Sequence, residues 1–215
     1  MRRAARTKDA AALRAEAERQ RSALARLLEI VDPGRGDALA SVLVEQFRGL
    51  TTIWSQTPEG LARVLGRGTA AADLLGRCRQ VSVAALSAGL QGVRVDPASR
   101  RLHDYLVQSM GALPDEALRI LFLDPHGFLI ADEEMQRGSL SHLAFYPRTI
   151  IRRAREHNAA GLILAHNHPS GDALPSEADL ETTRQFGAVA RSLDIRIVDH
   201  IIVTRAGGGR IGAAA

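Results

Sequence analysis

The sequence predicts two parts of different fold class, a small all-α unit followed by an α/β domain. Apolar residues recur at helical spacing through residues 22–90, whereas short apolar runs alternate with amphipathic segments after Asp115. In the second part, the order strand, strand, helix, strand, helix, strand is typical of a sheet packed in layers with helices.

The first part contains one weakly patterned segment and several helices. Residues 1–21 are rich in Ala, Arg and Glu without strong apolar periodicity, so we expect a disordered tail or a frayed helix. The helical unit is predicted over residues 22–95. Its clearest helix has Thr57 as candidate N-cap, a proline in the first position and Gly66 as its stop. The segment at 91–100 is predicted to be a linker.

The second part, assigned to residues 112–215, follows a short helix over RRLHDYLVQSMGAL. A β-hairpin is predicted from ALRILFLD (117–124) and FLIADEEM (128–135). Pro147 opens an amphipathic helix, and AGLILAH reads as a strand buried on both faces. Another helix begins near Ser176, and IRIVDHIIV is predicted to be the last strand.

Composition excludes several classes of protein. Hydrophobic residues make up 46% and charged residues 24%, as in soluble globular proteins. No apolar stretch reaches the ~20 residues of a membrane span, and the charged N-terminus lacks a secretory core, so a cytoplasmic location without membrane contact is expected. The single cysteine, Cys78, excludes an intrachain disulfide and a cysteine-based zinc site.

The positive charge is concentrated in the first half of the chain. Residues 1–110 hold 17 Lys and Arg against 11 Asp and Glu, a net charge of +6. Residues 111–215 hold 11 against 13, a net charge of −2. Two interpretations remain open, a surface that contacts DNA and a solvated arginine-rich surface.

The segment LILAHNHPSGDALPSEADL contains the strongest candidate site. His166 and His168 lie two residues apart at the end of a predicted strand, so both imidazoles point to one side. Asp179 follows in the first turn of the next helix. Two histidines and an aspartate suit Zn²⁺, with the fourth position left for a water of lowered pKa.

Simpler interpretations exist for each piece of this segment. Ser176 and Asp179 have the spacing of a helix-capping box, and a lone His-x-His is often a polar strand end. The contiguous letters H-N-H do not indicate an HNH nuclease, whose residues are dispersed over a longer motif. Capping does not explain two histidines that face the same way, so the combination favours a metal site.

The spacing His166-x-His168, seven residues, Ser176, two residues and Asp179 resembles the JAMM motif of JAB/MPN-type metallopeptidases. The surrounding NAAGLILAHNHPSGDALPSEADL, with YPRTIIRRA upstream and LDIRIVDHIIV downstream, closely resembles the bacterial RadC family. The resemblance covers about residues 112–205. It implies a JAB/MPN-like (cytidine-deaminase-like) α-β-α domain behind a small all-α N-terminal domain.

The resemblance also implies roles for individual residues. It implies one Zn²⁺ with three protein ligands: His166, His168 and Asp179. Glu116 matches the family's general base at the start of the strand that ends in FLD; Glu133 and Glu134 are alternatives, interpreted as exposed hairpin charges. Ser176 matches a serine that helps hold the tetrahedral intermediate.

Two other stretches match the family less specifically. Asp199 and His200 match on the last strand; they are interpreted either as support behind the metal ligands or as ordinary strand residues. LARVLGRGTAAADLL resembles a degenerate helix-hairpin-helix, in which Gly66, Arg67 and Gly68 would bring backbone N–H groups to a DNA phosphate. A helix end followed by a turn explains these glycines equally well. The terminal RAGGGRIGAAA departs from the family's apolar tail.

Three functions remain after this comparison. The first is a zinc metallopeptidase or isopeptidase, in which zinc-activated water attacks the amide carbonyl of a protein or peptide substrate. The second is a DNA-associated repair or recombination accessory protein, implied by the association of RadC-like proteins with DNA repair. The third is a non-catalytic scaffold. The identity of the substrate and any homo-oligomeric state are left open.

Overall fold

The computed structural model describes residues 2–66, 70–138 and 147–212. The chain divides into two compact units, Met1–Gln80 and Val81–Ala215. The division lies within the helix Ala70–Ala88, upstream of the predicted linker. The end of that helix belongs to the second unit because its apolar side chains, including Val83 and Leu86, pack against that unit's core.

The regular secondary structure in the described part of the first unit is entirely helical. Their bounds are α1 (Arg2–Glu29), α2 (Gly36–Phe47), α3 (Leu50–Trp54), α4 (Pro58–Leu65) and α5 (Ala70–Ala88), which continues into the second unit. α1 begins at Arg2, so the segment expected to be a disordered tail or frayed helix is helical here. A core of aliphatic side chains, among them Leu28, Leu43 and Leu75, holds the unit together.

Local hydrogen bonds explain two helix ends in this unit. The Glu29 carboxylate accepts hydrogen bonds from the N–H groups of Gly34 (2.5 Å) and Gly36 (2.9 Å), which closes the turn between α1 and α2. Thr57 Oγ1 accepts from the N–H of Gly60 at 3.1 Å, and the helix stops at Gly66. The predicted bounds of this helix are therefore those of α4.

The second unit is a mixed sheet with helices. Its elements are α6 (Arg100–Met110), β1 (Ala117–Leu123), β2 (Leu129–Arg137), α7 (Pro147–Glu156), β3 (Gly161–Asn167), α8 (Glu177–Arg191), β4 (Arg196–Thr204) and β5 (Gly207–Arg210). The strand order is β2-β1-β3-β4-β5. β3 and β4 pair in parallel, and the other neighbours are antiparallel.

The two faces of this sheet belong to two separate cores. Side chains of one face, such as Ile163, pack with α6 residues that include Leu106. Side chains of the other face, such as Leu164, pack with α7 and with Phe186 of α8. The predicted α/β class and the α-β-α layering are thus confirmed.

β5 is a strand that the sequence analysis misses, because the predicted last strand is β4. Its sequence GGGR lacks the apolar or β-branched residues by which strands are recognised. The glycines allow a close approach of the chain, since a Cβ built on Gly209 would lie 2.3 Å from the carbonyl oxygen of Ala173. The loop between β3 and α8 therefore rests directly on β5.

Within the described parts of the chain, none of the helices is both long and apolar enough to cross a membrane. Cys78 lies in α5, half-buried and free.

The contact between β5 and the β3–α8 loop yields a paired prediction. Gly209→Ala should lower the free energy of unfolding by about 1–3 kcal/mol, because the added methyl collides with backbone. Gly76→Ala, the same change inside α5, should raise it by about 0.5–1 kcal/mol, because the new Cβ lies 3.4 Å from Pro58 Cγ and alanine favours a helix. Urea unfolding measures both; equal effects of the two changes would contradict this account.

Candidate metal centre

Strand geometry aims both histidines of the predicted site at one place. His166 lies near the end of β3, level with Leu118 of β1 and Ile202 of β4. His168 follows directly after the strand, and its N–H still donates to the carbonyl of Val203 at 2.9 Å. Because side chains alternate along a strand, both imidazoles lie on the face that α8 covers.

The start of α8 aims the third residue at the same place. Ser176 is the N-cap, and its Oγ accepts from the N–H of Asp179 at 3.1 Å. In return, the Asp179 carboxylate accepts from the N–H (2.8 Å) and the O–H (2.5 Å) of Ser176. The capping box is therefore formed, and it is the same interaction that orients the carboxylate toward the histidines.

The three side chains meet at hydrogen-bonding distances. The Nε2 atoms of His166 and His168 are 2.8 Å apart. The Asp179 carboxylate lies 3.2 Å from the first and 3.5 Å from the second. His166 and Asp179 are 3% and 8% exposed, whereas His168 is 13% exposed, so solvent reaches the cluster on the side of His168.

The hydrogen on His168 can be placed from its neighbours. Nδ1 lies 2.8 Å from the carbonyl oxygen of Asp172, which can only accept a hydrogen bond. Nδ1 therefore carries the hydrogen in the neutral ring, and the lone pair of Nε2 points into the cluster. A lone pair beside a carboxylate needs a cation or a proton. Two imidazoles and one carboxylate are a common zinc donor set, so these residues fit the implied Zn²⁺.

The surroundings set the charge of two groups at the site. Burial by itself raises the pKa of Asp179, but the close contact with the His166 ring and the hydrogen bonds from Ser176 outweigh it and hold that pKa well below its usual range. Burial, followed by the neighbouring His166, lowers the pKa of His200 to about 3. At neutral pH the site thus presents a carboxylate in front of a neutral buried imidazole.

Glu116 lies at the rim of the cluster and outside it. It directly precedes β1, and its carbonyl oxygen accepts from the N–H of Gly138 at 2.9 Å. Because Leu118 is level with His166, the register continued by two residues places Glu116 level with His168 and on the same face. Its half-buried side chain makes no hydrogen bond or ion pair within the described residues, and the three-residue cluster does not include it.

The alternative glutamates are engaged elsewhere. Glu133 accepts from Arg153 Nε at 2.7 Å and lies 2.7 Å from His157 Nε2. Glu134 accepts from Arg137 Nε at 2.8 Å. Both were interpreted as exposed hairpin charges. Glu134 is exposed, as expected, whereas the interpretation is wrong for Glu133: its side chain is only 25% exposed, because Arg153 of α7 packs over it.

The structure separates the neighbours Asp199 and His200. Asp199 points to the α6 face, where it accepts from Arg210 Nε at 2.5 Å and from the N–H of Gly212 at 3.0 Å. His200 points to the α8 face, with Nε2 2.8 Å from His166 Nδ1 and Nδ1 2.6 Å from Thr183 Oγ1. Sequence reasoning missed Thr183, although its spacing of four residues from Asp179 places both on one face of α8.

Only part of the predicted DNA element can be compared with the structure. Gly66 ends α4 with a φ of 94°, a conformation that favours glycine. Arg67 and Gly68 lie outside the described residues. The glycine conformation is one that an ordinary helix end followed by a turn also uses.

The fold and this cluster agree with a comparison against known families. A family model described as a RadC-like JAB domain matches residues 97–209. The chain belongs to this family. The resemblance read from the motif is thereby confirmed, and the RadC-like JAB domain takes in α6, which covers one face of the sheet.

Relatives of this RadC-like JAB protein match a larger share of the chain than the family model does. An UPF0758 protein of Paracidovorax citrulli is 37% identical over 175 residues, 81% of this chain and 74% of the relative. An UPF0758 protein of Cupriavidus necator is 35% identical, with 84% and 79% covered. One from Rhodobacter capsulatus is 38% identical, with 77% of each covered.

The ion pairs of Glu133 predict a pH-dependent effect. Its hydrogen bonds with Arg153 and then His157 lower its pKa from 4.5 to about 2. A lowered pKa means that the carboxylate stabilises the fold fully above pH 4.5 and loses this effect as the pH falls through 2. Glu133→Gln should therefore cost up to about 1 kcal/mol at pH 7 and less at pH 3. Urea unfolding at both pH values measures this, and an equal cost at each would contradict it.

Proposed function

We propose that this protein is a zinc-dependent metallopeptidase or isopeptidase. The observation that carries the proposal is the meeting of two imidazoles and a carboxylate at the end of β3, with His168 Nε2 presenting a lone pair to the cluster. Membership of the RadC-like JAB family supports the same conclusion.

His166, His168 and Asp179 would hold the metal, which leaves one zinc position for water. A zinc ion bound there supplies a coordinated water with a pKa near 7 and polarises a carbonyl oxygen. The cluster lies at the edge of the core, and its partly exposed member is His168. An extended amide substrate can therefore approach from the side of His168, while His166 stays shielded.

Glu116 is proposed as the general base. It accepts a proton from the attacking water and returns it to the leaving amine. Its place level with His168, on the same face of the sheet, supports this role. So does the lack of an ion pair to its side chain within the described residues, because a carboxylate already held by arginine is a weaker base.

Ser176 is proposed to assist the oxyanion of the tetrahedral intermediate. In the structure its hydroxyl hydrogen is donated to Asp179 Oδ2. The proposed role therefore requires this O–H to rotate from the carboxylate to the substrate oxygen. Ser176 would act both as the helix cap that orients Asp179 and as a donor during the reaction.

The zinc proposal predicts one metal ion per chain in the purified protein. His166→Ala and His168→Ala should each reduce bound zinc to a small fraction, because two protein ligands do not hold Zn²⁺ well. His126→Ala, a change in the exposed β1–β2 turn, is the matched control and should leave zinc unchanged. Elemental analysis measures all four proteins; equal substoichiometric zinc in wild type and the site variants would sink the metal proposal.

The role of Glu116 predicts a separation of metal binding from catalysis. Glu116→Gln should lower the rate by about 10²–10⁴-fold while zinc stays bound, because only the proton acceptor is lost. Glu177→Gln, which changes an exposed carboxylate in the first turn of α8, should keep full activity. New N-termini formed in cell lysate, with wild type compared against each variant, give the readout. Loss of zinc from Glu116→Gln would show that the proposed role is wrong.

A further inference from the structure

We propose that Thr183 and His200 are positioning residues that set the tautomer of His166, holding its hydrogen on Nδ1 and leaving Nε2 free. The inference deepens the proposed function and rests on it, since a free Nε2 serves to bind the metal. It follows from placing the hydrogens one at a time along three buried contacts.

The hydrogen of Thr183 is placed first. Its hydroxyl has one hydrogen, and Oγ1 lies 2.6 Å from the backbone carbonyl oxygen of Asp179. A carbonyl can only accept, so the hydroxyl donates to it. Thr183 is 3% exposed, so water does not compete for its oxygen. That oxygen can therefore accept a hydrogen bond from its other polar neighbour.

That neighbour is His200. Its Nδ1 lies 2.6 Å from Thr183 Oγ1, whose only hydrogen is already donated. Nδ1 must therefore carry the hydrogen of the imidazole and donate it to Thr183. A neutral imidazole has one hydrogen, so His200 Nε2 keeps a lone pair.

The same reasoning places the hydrogen of His166, a proposed metal ligand. His166 Nδ1 lies 2.8 Å from His200 Nε2, which accepts. His166 therefore donates from Nδ1, and its Nε2 lone pair points at His168 Nε2 and at the Asp179 carboxylate. The chain of contacts begins at the backbone carbonyl of Asp179 and ends facing its side chain.

The reverse direction is unfavourable for a metal. It would require Thr183 to donate to His200 Nδ1, and His200 to donate from Nε2 to His166 Nδ1. The hydrogen of His166 would then lie on Nε2, in the position where a metal binds. His166, His200 and Thr183 are all at most 4% exposed, so water cannot readily supply the missing partners.

The two histidine ligands are thus oriented by two different routes. His168 donates directly to the carbonyl of Asp172 in the loop. His166 reaches a carbonyl through His200 and Thr183, since it lies inside the sheet, where backbone carbonyls pair with the neighbouring strands. The second route depends on one hydroxyl group, which makes it testable by a small substitution.

The first experiment measures tautomers in the metal-free protein by two-bond ¹H–¹⁵N correlation of the imidazole rings, at a pH high enough that the rings are neutral. We expect the hydrogen on Nδ1 in His166, His168 and His200, with signals assigned from single histidine variants. In Thr183→Val, His200 loses its acceptor, so we expect His166 and His200 to shift toward the Nε2-protonated form while His168 is unchanged. A wild-type His166 protonated on Nε2 would overturn the inference.

The second experiment measures zinc affinity by competition with a chromophoric chelator. Thr183→Val should weaken zinc binding by about 10–100-fold. Thr183→Ser keeps the hydroxyl and should stay close to wild type, and Thr182→Val, at the adjacent half-buried position, is the matched control. Thermal unfolding checks that the variants are folded; should Thr183→Val not fold, the wild-type tautomers still decide.

The outcomes separate this inference from the proposed function. Wild-type protein that binds no zinc, with His166 protonated on Nδ1, would overturn the metallopeptidase proposal and leave the tautomer assignment supported. Zinc binding that is equally tight in wild type and Thr183→Val, with unchanged tautomers in both, would overturn the positioning role and leave the metal site intact.

Discussion

The meeting of three hydrogen-bond acceptors at the end of β3 is the constraint on which the surrounding structure depends. Two ring nitrogens with lone pairs and a carboxylate do not attract one another, so each must be held in place by hydrogen bonds to other parts of the protein. The loop carbonyl of Asp172 holds His168, and the capping box holds Asp179. The glycines of β5 let that loop lie against the sheet, so even a distant edge strand contributes to the geometry of the cluster.

The two faces of the sheet carry different sets of polar side chains. The α8 face carries the cluster and His200. The α6 face carries polar contacts that bind elements together, such as the ion pair of Asp199 with Arg210 and the hydrogen bond from the Tyr105 hydroxyl to Asp132. Because side chains alternate along β4, two adjacent polar residues serve opposite faces. A family resemblance at both positions therefore does not imply a shared role for them.

Much of this arrangement could be predicted from local patterns. The helix α4, the β1–β2 hairpin and the α/β class follow from periodicity and turn residues, and the structure agrees with them. β5 was missed because three consecutive glycines carry no strand signal; its pairing with β4 supplies the hydrogen bonds that side chains do not predict. Glu133 was misjudged because its partner Arg153, 20 residues further along the chain, becomes a neighbour only after the chain folds.

The sequence by itself determined the three-residue cluster, because each part of it obeys a short-range rule. Histidines two apart on a strand face one way, and a serine three residues before an aspartate caps a helix. Only the tertiary structure decided which buried residues hydrogen-bond to the cluster. His200 reaches His166 through the parallel register of β3 and β4, and Thr183 reaches His200 through the packing of α8 on the sheet. Contacts between residues 34 and 17 positions apart are set by how the layers pack, which no local pattern encodes.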